Sequence, residues 1–168
     1  LKIEIGFGMG DFLIEMAARE PHSNFIGVDF TKTGVQSLLT KVKTYRLGNI
    51  RVVYGDARIK LSALFRDEEL ETIYVNFPDP WPRKRHLKRR LFNPEFVNLL
   101  AQKLGSGGHV YLATDSESYA QQMMEYFDAE PSCQNMNQPS GFLESRKSLP
   151  KTKYEKSFIY SGEKTYYL

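Results

Sequence analysis

The chain has 168 residues, 41% hydrophobic and 26% charged, which suits one soluble globular domain with a real core and excludes global disorder. It holds no apolar run of about 18 residues and no leader with a cleavage site, so neither a membrane span nor a secretory signal is expected and the cytoplasm is the expected location. The net charge of +3, from 23 Lys and Arg against 20 Asp and Glu, is too small to point to a polyanionic partner, and the lone Cys133 excludes an internal disulfide or a paired-cysteine zinc site.

In chain order, residue 1 is not Met and Lys2–Ile5 already reads as a strand, so a segment is expected to precede it. Glu4-Ile5-Gly6-Phe7-Gly8-Met9-Gly10 then forms a glycine-rich turn into a helix, where missing side chains let backbone approach a nucleotide. Its G-x-G-x-G spacing differs from the dinucleotide fingerprint. An acidic residue just ahead of the glycines would repel a pyrophosphate but accept a hydrogen bond from an ammonium group. A nucleoside carrying a cationic amino acid therefore fits better than NAD.

Phe12, Met16 and Ala17 share one helical face, and the strand Phe25–Val28 leads to Asp29, whose carboxylate could accept both ribose hydroxyls. A second helix carries Val35, Leu38, Leu39 and Val42, and the strand Ile50–Tyr54 leads to Gly55-Asp56-Ala57, with Asp56 a candidate for an adenine amino group. Each is an ordinary turn residue, for which a plain strand-to-helix turn suffices. Three in register at successive strand ends favour a binding site.

Ile73–Val75 runs into Asn76-Phe77-Pro78-Asp79-Pro80-Trp81-Pro82, whose three prolines stiffen the backbone and fix Asp79 and Trp81 in direction. Trp81 either tucks into the core or stacks a planar base. Arg83-Lys84-Arg85-His86-Leu87-Lys88-Arg89-Arg90 follows with six basic residues in eight positions and no acid between them. Removing those six leaves the rest of the chain at −3, so the positive excess sits in one segment, the footprint of a phosphate backbone. His86 serves as a phosphate contact or as surface filler, not as a catalytic base; His22 and His109 read as structural.

Asn93 caps a third helix, with Pro94 in its first turn and Phe96, Leu99 and Leu100 on its apolar face. The strand His109–Ala113 ends at Thr114-Asp115. Residues 131–150 are rich in Pro, Ser, Asn and Gln and read as a mobile loop, ahead of an amphipathic helix over Lys153–Ser161 and a strand over Thr165–Leu168. Thr152 suits an N-cap, and Glu155 suits either a capping box or a functional role. Cys133 has no neighbouring base to activate it, which speaks against a covalent thiol mechanism. Alternating strands and helices predict a single α/β domain over residues 1–168, with a doubly wound, mostly parallel sheet and its site beyond the carboxyl ends of the strands.

Together these motifs resemble the bacterial tRNA (guanine-N7)-methyltransferases, members of the S-adenosylmethionine-dependent class I methyltransferases with their Rossmann-like fold. The glycine turn is common to many class I enzymes; Asn76–Pro82 with Arg83–His86, then Thr114-Asp115 and Thr152–Glu155, resembles this family in particular. The resemblance implies Glu4, Gly6, Gly8, Gly10, Asp29, Asp56, Ala57 and Asp79 as cofactor contacts, with Asp79 also catalytic. It implies Arg83, Asp115, Thr152, Lys153, Tyr154 and Glu155 as substrate contacts, and leaves Lys84, Arg85, His86, Lys88, Arg89 and Arg90 for the tRNA backbone. No metal is implied, and either a monomer or a homodimer would serve.

The chain departs from the family in having Asp29 where Glu is frequent and Arg83 where Lys is frequent, and the family's N-terminal extension is absent from the sequence. The implied reaction is methyl transfer to N7 of a variable-loop guanine in tRNA. Alternatives are amino-methylation of adenine N6 or cytosine N4, a non-catalytic RNA-binding module on this fold, and a small-molecule methyltransferase that would leave the basic segment without a purpose.

Overall fold

A computed structural model describes residues 1–138, 140–146, 148–161 and 164–168, with side chains left aside at 158–161. The elements run β1 (Lys2–Ile5), α1 (Asp11–Arg19), β2 (Phe25–Asp29), α2 (Lys32–Thr44), β3 (Ile50–Tyr54), α3 (Ala57–Leu64) and β4 (Leu70–Asn76). A short 3₁₀ helix (Lys84–Arg89), α4 (Pro94–Lys103), β5 (Leu104–Thr114), α5 (Glu117–Asp128), α6 (Lys153–Ser161) and β6 (Tyr166–Tyr167) complete the chain. The apolar stripe of α3 is the weakest among the helices, and neither α3 nor α5 is among the helices that periodicity predicts. Among the described residues, no helix is long and apolar enough to cross a membrane.

The six strands form one sheet in the order β3-β2-β1-β4-β5-β6, all parallel except β6, which pairs antiparallel with β5. The order reverses beside β1, so the glycine turn after β1 and the proline-rich loop after β4 emerge side by side at the switch point where such sheets bind ligands. Strand alternation divides the core in two. Ile3, Ile5, Ile73 and Val75 face α3, α4 and α5 with Phe92, Phe96 and Tyr119, whereas Tyr74 faces α1 with Phe12, Leu13 and Phe25. Glu4, between Ile3 and Ile5 and in register with Tyr74, thereby points to the α1 face.

The second helix buries Leu38 and Gly34 rather than the whole predicted stripe, for Leu39 stands 52% exposed. Gly34 lies against the glycine turn so closely that a Cβ would come within 2.4 Å of the Gly8 carbonyl oxygen. α2 thus packs against the glycine turn through its backbone at Gly34. At the far end, β6 and the stretch before α6 close over the sheet: Leu143 bridges Tyr167, and the Asn135 side chain donates to the Gly141 carbonyl. The described residues of 131–150 are tied to the sheet at these points.

Candidate active site

Gly6, Gly8 and Gly10 all adopt positive φ, and a Cβ on Gly10 would also lie 2.8 Å from Leu38. At Gly6 and Gly8 a Cβ would meet nothing within 4 Å, so the turn presents open backbone to an incoming ligand. Its shape is set by Asp29, which is buried and accepts from the Gly8 amide at 2.9 Å, the Thr31 amide at 2.8 Å and the Thr31 hydroxyl at 2.7 Å. A carboxylate has about four acceptor positions. Three are taken by the protein itself, which leaves about one for a ribose hydroxyl.

Asp56 is likewise already engaged by the protein. It caps α3 by accepting from the Arg58 amide at 2.9 Å, and the Arg58 guanidinium grips the same carboxylate, holding it below the usual aspartate range. A base amino group would compete with that fork. Ala57 follows as the first residue of α3 and is buried.

Glu4 is 2% exposed. One oxygen accepts from the Asn76 amide at 3.0 Å, while Oε2 is buried with no partner. Burial pushes its carboxyl up to about 8, outweighing the opposing pull of Asn76 and Arg146, and the Asp29 and Asp11 carboxylates add to the rise. A buried carboxyl oxygen without a partner behind an open glycine turn is a site that an incoming cation would ionise and satisfy, and it fits the ammonium end of an amino-acid-bearing nucleoside. Asn76 is the pivot: its other end accepts at 3.1 Å from Arg146, a buried guanidinium in the stretch expected to be mobile. Nothing in the sequence singles out Arg146, since a lone arginine in a polar loop has every appearance of a surface residue.

Beyond Asn76 the backbone turns through positive φ at Phe77 and Trp81, leaving Asp79 exposed between two prolines. Trp81 is half-buried rather than tucked into the core. Arg89 covers its ring at 4.9 Å and His86 meets it edge-on at 5.7 Å, so the indole braces the basic segment. The aromatic contact beside the loop comes instead from Tyr154 on α6, edge-on to Phe77 at 5.1 Å, which brings the Thr152–Glu155 motif to the Asp79 loop.

Arg83, Lys84, Arg85, Lys88 and Arg89 are exposed and His86 is half-buried. Arg90 departs from the expected phosphate-contacting set. It is 5% exposed, donates to the Pro80 carbonyl at 2.6 Å and to Gln122 at 2.8 Å, and lies 4.5 Å over the Tyr119 ring. Its charge clamps the proline-rich loop to α5. Asp115, half-buried, follows β5 at the same sheet edge.

Thr152 and Glu155 form a reciprocal capping box, with the Glu155 amide donating to the Thr152 hydroxyl at 3.0 Å and the Thr152 amide to Glu155 Oε2 at 3.2 Å. Glu155, 1% exposed, also accepts from the Tyr167 hydroxyl at 2.6 Å. Burial and this bond raise the Tyr167 phenol above its ordinary range. The motif therefore fastens α6 to β6, while Lys153 and Tyr154 stay exposed on the side of the Asp79 loop.

The sequence profile of the family described as "Putative methyltransferase" matches residues 1–168. The chain is 42% identical over 154 residues to the tRNA (guanine-N(7)-)-methyltransferase of Idiomarina loihiensis, covering 92% of this chain and 63% of that protein. It is 40% identical over 164 residues to the enzyme of that name from Alkalilimnicola ehrlichii, covering 98% of this chain and 69% of that protein. The chain thus spans roughly two thirds of the length of these relatives. A SAM-dependent methyltransferase from Aquifex aeolicus superposes with a TM-score of 0.60 at 12% identity, covering 99% of this chain and 78% of that one, which agrees with a Rossmann-like class I fold. Matched along its whole length by the family profile and by these relatives, the chain belongs to the bacterial tRNA (guanine-N7)-methyltransferase family.

Proposed function

We propose that the protein transfers a methyl group from S-adenosylmethionine to N7 of a guanine in the variable loop of tRNA. The observation that carries this reading is the juxtaposition of Glu4, with one buried oxygen lacking a partner, and the exposed Asp79 loop flanked by five exposed cations. A cation-seeking pocket meets a polyanion-seeking surface at one switch point. The relatives' names supply the substrate class.

When bound, the cofactor supplies an electrophilic methyl on a sulfonium. Glu4 receives the ammonium end, Gly6, Gly8 and Gly10 give it room, and Asp29 accepts one ribose hydroxyl while holding the Gly8 amide in place. Asp56 and Ala57 line the adenine end. Guanine N7 carries a free lone pair at neutral pH, so the chain's task is alignment and exclusion of water, not removal of a proton. Asp79 accepts hydrogen bonds from the guanine edge and offsets the positive charge that develops on the ring. Arg83, Asp115, Thr152, Lys153, Tyr154 and Glu155 make up the substrate side. Thr152 and Glu155 act there by holding α6 in position, Lys153 and Tyr154 by facing the RNA. Lys84, Arg85, His86, Lys88 and Arg89 take phosphates, which offsets the few kcal/mol of unstacking needed to expose a base in folded RNA.

The test is incubation with labelled S-adenosylmethionine and unmodified tRNA, followed by nuclease digestion and mass spectrometry. The methyl group is expected on N7 of a variable-loop guanine. Label on adenine N6 or cytosine N4 would overturn the reading in favour of an amino-methyltransferase.

A further inference from the structure

Arg146 is 8% exposed, and two of its guanidinium nitrogens, Nε and Nη1, are buried without a partner. Among the described residues its one hydrogen bond runs from Nη2 to Asn76 Oδ1 at 3.1 Å. The rings of Phe12 and Tyr167, at 5.8 and 5.1 Å from the guanidinium carbon, hold the group in place without accepting a hydrogen bond. Among the described residues no carboxylate forms an ion pair with it. An arginine stays charged, and burying its donors without an acceptor is unfavourable.

Across the same asparagine lies the complementary deficiency, for Asn76 Nδ2 donates to Glu4 Oε1 at 3.0 Å while Glu4 Oε2 has no partner. Were this a structural ion pair, the guanidinium would sit directly on the carboxylate. Instead Asn76 uses one side of each and keeps them apart, leaving an unmet donor pair and an unmet acceptor on either side of one amide. A plain anion would satisfy Arg146 and be repelled by Glu4; a plain cation would do the reverse. A ligand bearing an ammonium and a carboxylate on one carbon satisfies both.

We infer that Arg146 grips the carboxylate of the cofactor's amino-acid end, with Asn76 setting its spacing from Glu4. This rests on the S-adenosylmethionine reading above and extends it to a residue in the stretch between α5 and α6. Arg146 selects for an intact amino-acid end, so a nucleoside lacking that end should bind without its help.

The experiment compares S-adenosylhomocysteine with 5′-methylthioadenosine, which lacks the amino-acid end, by titration calorimetry on the full chain and on Arg146→Gln and Arg146→Lys variants. Arg146→Gln should weaken S-adenosylhomocysteine about ten- to a hundredfold, the worth of charge-assisted hydrogen bonds, and leave methylthioadenosine within about twofold. Arg146→Lys, which keeps the charge without the fork, should fall between, and it keeps the question answerable if the glutamine variant does not fold. Equal weakening of both ligands would make Arg146 a structural support and overturn the inference, as would unchanged affinity for both. If the unsubstituted protein binds neither ligand, the cofactor reading itself is lost.

Discussion

Replacing Glu4 with Gln should change how stability depends on pH, by an amount the structure fixes. Burial moves this carboxyl from 4.5 to about 8, so the folded state holds the proton more tightly than the unfolded chain does. Stability from this group is then fully present below about pH 4.5 and is lost as pH rises toward 8, at about 1.4 kcal/mol per unit. Between pH 6 and pH 8, where the slope halves as the folded-state value is reached, the loss amounts to about 2 kcal/mol. A Gln at position 4 keeps the oxygen that accepts from Asn76 and has no proton to lose. In urea unfolding at both pH values, the advantage of Glu4→Gln over the unsubstituted protein should therefore grow by about 2 kcal/mol from pH 6 to pH 8, with all other titrating groups cancelling in the difference. The same substitution should abolish the proton release that accompanies S-adenosylmethionine binding near neutral pH, read by calorimetry in buffers of different ionisation enthalpy. A stability difference that stays constant across this pH range would refute both the perturbed Glu4 and the cation-seeking pocket built on it.

Asp79→Ala should lower turnover far more than tRNA affinity, since the residue is exposed and structurally unencumbered; single-turnover rates against filter binding separate the two. Substituting Arg83, Lys84 and Arg85 together should flatten the slope of log affinity against log salt by about 2 to 3, whereas Arg90→Gln should leave the slope alone. Arg90→Gln should instead cost about 3 kcal/mol in chemical unfolding, because Gln122 and the Pro80 carbonyl lose a buried charged donor. Gly10→Ala should destabilise by roughly 1 to 3 kcal/mol through its φ of 81° and the contact with Leu38, a loss visible in the melting temperature.

What the sequence makes legible is the part encoded locally. The glycine turn, the acidic residues at strand ends and the T-x-x-E cap each depend on neighbours a few positions away, and all stand where the spacing puts them. What it hides depends on distant partners. Arg90 is one of six similar basic residues in sequence, and only the arrival of α5 with Gln122 and Tyr119 makes it a buried clamp. Arg146 lies in a stretch without periodicity, and its role arises from Asn76, 70 positions earlier. Asp29 and Asp56 show a subtler limit: position at a strand end is readable, but whether the carboxylate is already occupied by Thr31 or Arg58 is not. Leu39 marks another limit, for helical periodicity places a leucine beside an apolar stripe without showing whether anything packs over it.

The hydrogen-bonded chain from Glu4 through Asn76 to Arg146 joins three points far apart along the polypeptide, with separations of 72 and 70 residues. During synthesis from the N-terminus, β1 to β4 can pair before Arg146 has left the ribosome, so the nascent chain acquires its sheet well before its site. Until the stretch around Arg146 docks, the Asn76 side-chain carbonyl lacks the guanidinium that donates to it. The arginine end of the site is therefore among the last contacts the folding chain can complete.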